Sequence, residues 1–123
     1  MKSIIILLTL FLCVHLAAKA EYTTECKAKY KTSSGWSKLY TVDVSFLTGS
    51  ELNTATNSFK YRTSSVYAVI FWGQNEASVI ELTNFLICGF EVSESCIKNH
   101  YGDFQGKDQD GDEWNICRGY ICY

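Results

Sequence analysis

The chain has 123 residues and a formal net charge of −2, with 47% hydrophobic, 15% aromatic and 20% charged residues and no proline. So apolar and aromatic a composition excludes a disordered chain, and the length bounds it to a single domain able to bury a core without metal. The acidic balance argues against nucleic acid or anionic membrane as partners.

The first twenty residues, MKSIIILLTLFLCVHLAAKA, read as a secretory signal rather than as part of the fold. Lys2 supplies the positive end, Ile4 to Val14 the apolar run, and Ala18 and Ala20 the small residues a signal peptidase reads. The run falls short of the ~20 residues that span a bilayer, so no stable membrane insertion is expected. Cleavage near Ala20 then yields a single secreted β domain, residues 21–123, extracellular or periplasmic. Its 9 basic and 13 acidic side chains give a net charge of −4, with most of the acidity in the C-terminal half.

Period-two patterning dominates this domain. In EYTTECKAKYK the less polar Tyr22, Thr24, Cys26, Ala28 and Tyr30 alternate with charged neighbours, which predicts a half-buried strand with a solvated lysine row. TSSG turns the chain into WSKLYTVDVSFL, where Trp36, Tyr40, Val42, Val44 and Phe46 share one parity and form a second strand. TGSELNTATNS breaks the alternation, and Ser50 is placed to cap a short helical turn from Glu51 to Ala55. Strand character resumes in SFKYRTSSVYAVIFW. From Val66 to Trp72 both parities are apolar, so this strand is expected to be covered on both faces. GQNE turns the chain into a further strand, ASVIELTNFLIC, and GFEVSESCIKNHYGD reads as an irregular, disulfide-tied excursion. Together these segments predict an all-β fold. We expect an antiparallel sandwich or small barrel of about six or seven strands, with at most one short helix and disulfide support.

Five cysteines remain after cleavage, and export makes disulfides their default. Proximity pairs Cys88 with Cys96 and Cys117 with Cys122, leaving Cys26 as the odd thiol; a Cys26–Cys117 bridge is the main rival. The odd count leaves room for a disulfide-linked homodimer, beside a non-covalent one.

GKDQDGDEWNIC resembles a calcium loop, yet no register satisfies the EF-hand offsets. With Gly111 at the sixth position, Gly106 and Cys117 occupy the first and twelfth, where carboxylates belong. A three-residue hairpin loop accounts for more of the sequence. Asp108 opens a type I turn and Gly111 takes its left-handed position, which sets Lys107 against Glu113, Gly106 against Trp114 and Phe104 against Ile116. Asp108, Asp110 and Asp112 remain a weak calcium candidate around that turn.

Catalytic residues are in short supply. His100 is the one histidine after the signal, which excludes a two-histidine zinc site, and its plainest role is a loop residue capped by a carboxylate. Neither GxGxxG nor GxxxxGK[ST] occurs, and no cofactor is expected. Asp43, Glu81 and Glu91 could supply a glycosidase acid pair only if they left the solvent face.

The functional hint lies in the aromatics. Trp36, Trp72, Trp114 and Tyr120 are the rings expected to reach the surface as binding platforms. The expectation is therefore a non-enzymatic binding domain that recognises a protein or a glycan. Its rivals are a secreted inhibitor or neutralising protein of a hydrolase or toxin, and, further off, a small carbohydrate-active hydrolase.

Overall fold

A computed structural model describes residues 22–73 and 75–118. Its strands are β1 (Tyr22–Thr32), β2 (Gly35–Trp36), β3 (Tyr40–Thr48), β4 (Val66–Gly73), β5 (Glu76–Leu82), β6 (Phe104–Asp108) and β7 (Glu113–Cys117). They pair in the order β2-β1-β3-β4-β5-β6-β7, always antiparallel, and β7 returns to β1 through Lys27↔Cys117 to Tyr30↔Trp114. That last pairing decides between sandwich and barrel. β1 and β3 to β7 close into a six-stranded antiparallel barrel, and β2 is an extra strand on the projecting end of β1. Closure removes the sheet edges that would otherwise offer unpaired backbone groups to another chain.

The alternation seen in the sequence fills the barrel. Cys26, Ala28, Val44, Phe46, Ala68, Ile70, Ile80, Phe104, Trp114 and Ile116 all belong to one buried cluster. Large and small residues face each other across the pairings. Phe46 opposes Ala68, Trp114 opposes Gly106, and Ile116 opposes Ala28. A narrow barrel can hold two phenylalanines and an indole only if neighbouring positions stay small. Each fully buried aliphatic or phenylalanine side chain contributes about 1.5–3 kcal/mol.

β4 is covered on both faces, as its composition requires. Val66, Ala68 and Ile70 point inward, while Tyr67 and Val69 join a second cluster outside the barrel with Leu47, Ala77 and Val79. Leu52 and Ala55 complete this cluster from helix α1 (Gly49–Thr56), which lies over the barrel wall. The helix starts on a capping box. The Thr48 hydroxyl accepts the Glu51 N–H at 3.1 Å, and the Glu51 carboxylate accepts the Thr48 N–H at 2.8 Å. The cap is thus Thr48 and not Ser50, because only Thr48 has a residue three positions on that can reciprocate.

Three further expectations change. Residues 59–62 are not a strand. The side chain of Asn53 accepts the backbone N–H of Tyr61 and donates to its carbonyl, both at 2.9 Å, occupying the groups a neighbouring strand would use. The strand expected over residues 77–88 ends at Leu82, and Phe85 turns in to pack against the core. Finally, Trp36 does not share a face with Tyr40. It pairs with Lys31 while Tyr40 pairs with Ala28, an offset of one residue between β2 and β3. Such an offset moves a side chain to the opposite face, so Trp36 points outward with the lysines.

The excursion between β5 and β6 closes one end of the barrel. Val92 and Ile97 are buried in the interior cluster, Ile97 from a single helical turn (Glu94–Lys98), and the Cys88–Cys96 disulfide ties the loop to itself. Arg118 donates to the carbonyls of Lys98 and His100, and Asn84 bonds the backbone of Asp103 and Gln105.

Candidate functional site

The structure separates the aromatic residues singled out in the sequence. Trp114 is 2% exposed and belongs to the core, so it is no surface platform. Its indole N–H donates to the Asp108 carboxylate at 2.9 Å, the partner that lets a polar ring edge be buried. Trp72 is half-buried and donates to the Ser78 hydroxyl at 3.0 Å. These two indoles join Tyr30 and Tyr40 in a closed circuit, with ring centroids 5.1 to 6.2 Å apart, at the end of the barrel opposite the β5–β6 loop. Of the three tryptophans, all among the described residues, Trp36 alone keeps a substantial free surface, 44%, with Lys29 over its ring at 5.0 Å. Tyr120 lies outside the described residues, as do Cys122 and residues 1–20.

The acidic turn has the geometry of a hairpin. The register is Lys107↔Glu113, Gly106↔Trp114 and Phe104↔Ile116, and Gly111 has φ +85° as its left-handed position demands. Asp108, Asp110 and Asp112 do bring carboxylate oxygens within 4.8 Å of one another. Asp108, however, is already engaged at both oxygens. Oδ1 accepts the N–H groups of Asp110 and Asp112 at 2.9 and 3.0 Å, and Oδ2 accepts the Trp114 indole. Its charge stabilises the turn, and an ion would compete with three N–H donors.

Cys88 and Cys96 are bonded, as their proximity implies, and Cys26 is a free, buried thiol. Burial pushes the Cys26 thiol up to about 11, with Asp43 and Glu25 adding to the rise against the lowering effect of Arg118. A thiol inside the barrel cannot meet a second chain, which removes Cys26 as the link of a covalent dimer. Cys117 is disulfide-bonded, which excludes the rival Cys26–Cys117 bridge.

The residues considered for catalysis do not converge. Strand alternation sets Asp43 outward on β3, where it is exposed, and Glu81 outward on β5, where it accepts from Ser65 at 2.7 Å and lies 3.6 Å from Arg62. Glu91 is on the exposed β5–β6 loop. The His100 ring stacks on Phe104 at 4.3 Å, and its Nε2 meets the carbonyl of Asp103 at 2.9 Å. That partner is a backbone carbonyl and not a carboxylate, and the ring's packing makes it a structural piece of the barrel cap. A shallow groove of about 520 Å³ runs over the outer wall, lined by Thr23, Thr41, Asp43, Ser45, Phe71 and Trp72 among others. Asp43 is the one carboxylate on its lining, so the groove lacks an acid pair.

Four large apolar side chains stand almost wholly exposed elsewhere, Phe59 (99%) on the connection between α1 and β4 and three on the β5–β6 loop. Leu86, Phe90 and Tyr101 are 87%, 97% and 98% exposed. The alternation of the strands carried no information about this loop. A signal was nonetheless present, since three large apolar residues fall beside two cysteines in a stretch with no regular period. Among the described residues, no helix is long and apolar enough to cross a membrane. Comparison with protein-family models, curated proteins and solved structures finds nothing that matches this chain.

Proposed function

We propose that the chain is a secreted, non-enzymatic binding domain that engages a protein partner through its β5–β6 loop. One observation carries this reading: Leu86, Phe90 and Tyr101 stand almost wholly in water on a loop tied by the Cys88–Cys96 disulfide. Leaving three such side chains solvated forgoes several kcal/mol of burial, and exposed apolar groups clustered on one segment are characteristic of interfaces. The loop is pre-organised by the Cys88–Cys96 bridge, by buried Val92 and Ile97, and by the contacts of Arg118. Fixing these anchors before encounter reduces the ordering cost of binding. The scattered carboxylates and the packed His100 support a role without catalysis.

The same feature favours a second, narrower reading, in which the partner is a hydrolase or toxin and the braced loop fills its cleft. Rigid, convex, disulfide-tied segments suit that task because they lose little entropy on insertion.

The test compares the wild-type domain with a Leu86→Ser, Phe90→Ser, Tyr101→Ser variant. Proteins captured from the native extracellular fluid are identified, purified and titrated calorimetrically against both forms. A 1:1 complex that weakens at least a hundredfold in the variant, with the melting temperature retained, supports the reading. Equal affinity of both forms for every captured protein overturns it. Loss of the partner's enzymatic activity on titration marks the inhibitor form.

A further inference from the structure

A second surface, remote from that loop, carries an independent assignment. Lys27, Lys29 and Lys31 occupy alternate positions on the outer side of β1, and Lys38 follows just beyond β2. Residues two apart along a strand recur about every 6.7 Å, so the three lysines of β1 are anchored at even spacing along its outer side. The residues paired directly with them are neutral, and Glu113 stands one position beyond the last β1–β7 pair. Lys27 faces Thr41 and Cys117, Lys29 faces Asn115, and Lys31 faces Trp36. Among the described residues, Lys29, Lys31 and Lys38 form no ion pair, although the chain as a whole is acidic. Two of these lysines instead lie over rings, Lys29 over Trp36 at 5.0 Å and Lys38 over Tyr40 at 5.1 Å. These contacts hold the cations close to the wall while leaving their charge uncancelled.

We propose that the outer face of β1 and β2 is a binding site for a linear polyanionic saccharide, a chain of sulfated or uronic-acid sugars. Three of the lysines follow one strand, which matches a single flexible polyanion lying along β1. Half-exposed Trp36 offers an indole at its side for the apolar face of a sugar ring. Nucleic acid fits less well. A duplex spreads phosphates over a broad surface, and here the row is bounded at its end by Glu25 facing Asp43, two exposed carboxylates that would repel it. An anionic membrane fits less well too, because Leu86, Phe90 and Tyr101, the side chains suited to insertion, belong to the opposite end of the barrel. The acidic C-terminal half does not forbid the site, since fields from exposed charges fade over about 10 Å at ordinary ionic strength.

The experiment titrates the mature domain with heparin by calorimetry at several salt concentrations. The same titration is run with a Lys29→Glu, Lys31→Glu variant and with a Lys60→Glu, Lys98→Glu control that changes net charge equally. The proposal expects binding that weakens as salt rises, a loss of at least tenfold in the Lys29/Lys31 variant, and no more than a twofold change in the control. Melting temperatures establish that all three forms are folded, and Lys29→Ala, Lys31→Ala serves if charge reversal disturbs the barrel. Absence of heparin binding at low salt, or equal losses in variant and control, overturns the site. A DNA duplex or phosphatidylserine vesicles bound as tightly as heparin would overturn its assignment to a saccharide. Because the Lys29 and Lys31 substitutions leave the β5–β6 loop untouched, the outcome is separate from that of the protein-binding test.

Discussion

The indole N–H of Trp114 and the backbone N–H groups of Asp110 and Asp112 all converge on the carboxylate of Asp108. One buried side chain thereby couples the β6–β7 turn to the aromatic circuit at the barrel's end. Asp108→Ala would remove all three acceptor contacts and leave the indole donor buried without a partner. The expected cost is about 2–4 kcal/mol in denaturant unfolding, the sum of lost charge-assisted bonds and an unsatisfied donor. Asp108→Asn keeps one carbonyl oxygen and is expected to lose roughly half as much. A change for Asp108→Ala within about 0.5 kcal/mol, the range of ordinary surface substitutions, would refute the coupling.

The same engagement predicts the response to calcium. Since Asp108 is committed to N–H donors, millimolar calcium is expected to leave the melting temperature unchanged. A rise that Asp110→Asn and Asp112→Asn abolish would show that the turn binds an ion despite its hydrogen bonds. Binding to the folded state alone raises stability by mass action, so melting is a direct readout.

Glu51 predicts a pH effect of definite sign. Burial raises its carboxyl above the usual range, outweighing the lowering by its hydrogen bonds to Thr48, while nearby Glu91 adds to the rise. An acid whose folded-state pKa is raised holds its proton more tightly when folded. The associated stability is present below the unfolded value of about 4.3 and is lost as pH rises through the folded pKa. Glu51→Gln keeps the capping box, because an amide oxygen still accepts the Thr48 N–H. It is expected to flatten the fall in stability that begins just above pH 4.3 and to match or exceed the wild type at pH 7. A steeper pH dependence in the variant would contradict this account.

Gly106 marks where the barrel tolerates no side chain. A Cβ there would run into the carbonyl of Glu81 and the side chain of Ile80 across the β5–β6 pairing. The contact with Glu81 is backbone and cannot rotate away. Gly106→Ala is therefore expected to destabilise the fold by about 1–3 kcal/mol despite the better strand propensity of alanine. Equal or greater stability on denaturant unfolding would show that the two strands can separate without loss.

Much of the barrel was legible because its strands obey one rule. Alternation placed Cys26, Ala28, Val44 and Phe46 inside, and the double-sided apolar run of β4 announced a cover that α1 supplies. The hairpin register around Gly111 followed from matching facing residues. What escaped were features set by single local contacts. Asn53 holds residue 61 away from strand pairing, and the one-residue offset after β2 turns Trp36 outward. Neither alters composition or period. The loop carrying Leu86, Phe90 and Tyr101 escaped for a different reason: an irregular segment has no period to say which side chains face solvent, and here a disulfide and two buried anchors set them there. Barrel closure depends on β1 meeting β7, a pairing of distant segments that no local pattern encodes.

Cys26 offers a last test, which also bears on how chains associate. With burial lifting its thiol to about 11, about one part in a thousand is thiolate at pH 8, and the sulfur is enclosed by the barrel. Native protein is therefore expected to resist a thiol reagent at pH 8, and peptide mapping is expected to find Cys26 labelled once denaturant opens the barrel. As reagent concentration is raised, the rate of labelling in native buffer should level off at the rate of barrel opening. The sign of the stability effect is also set: the thiol's raised pKa makes the fold lose stability as pH rises from about 9 through 11. Cys26→Ala removes that loss, at the expense of a small cavity worth about 1 kcal/mol at neutral pH. Rapid stoichiometric labelling of Cys26 in the native protein would mean that β1 does not close the barrel as described, and with it would fall the outward orientation of the lysine row on the same strand.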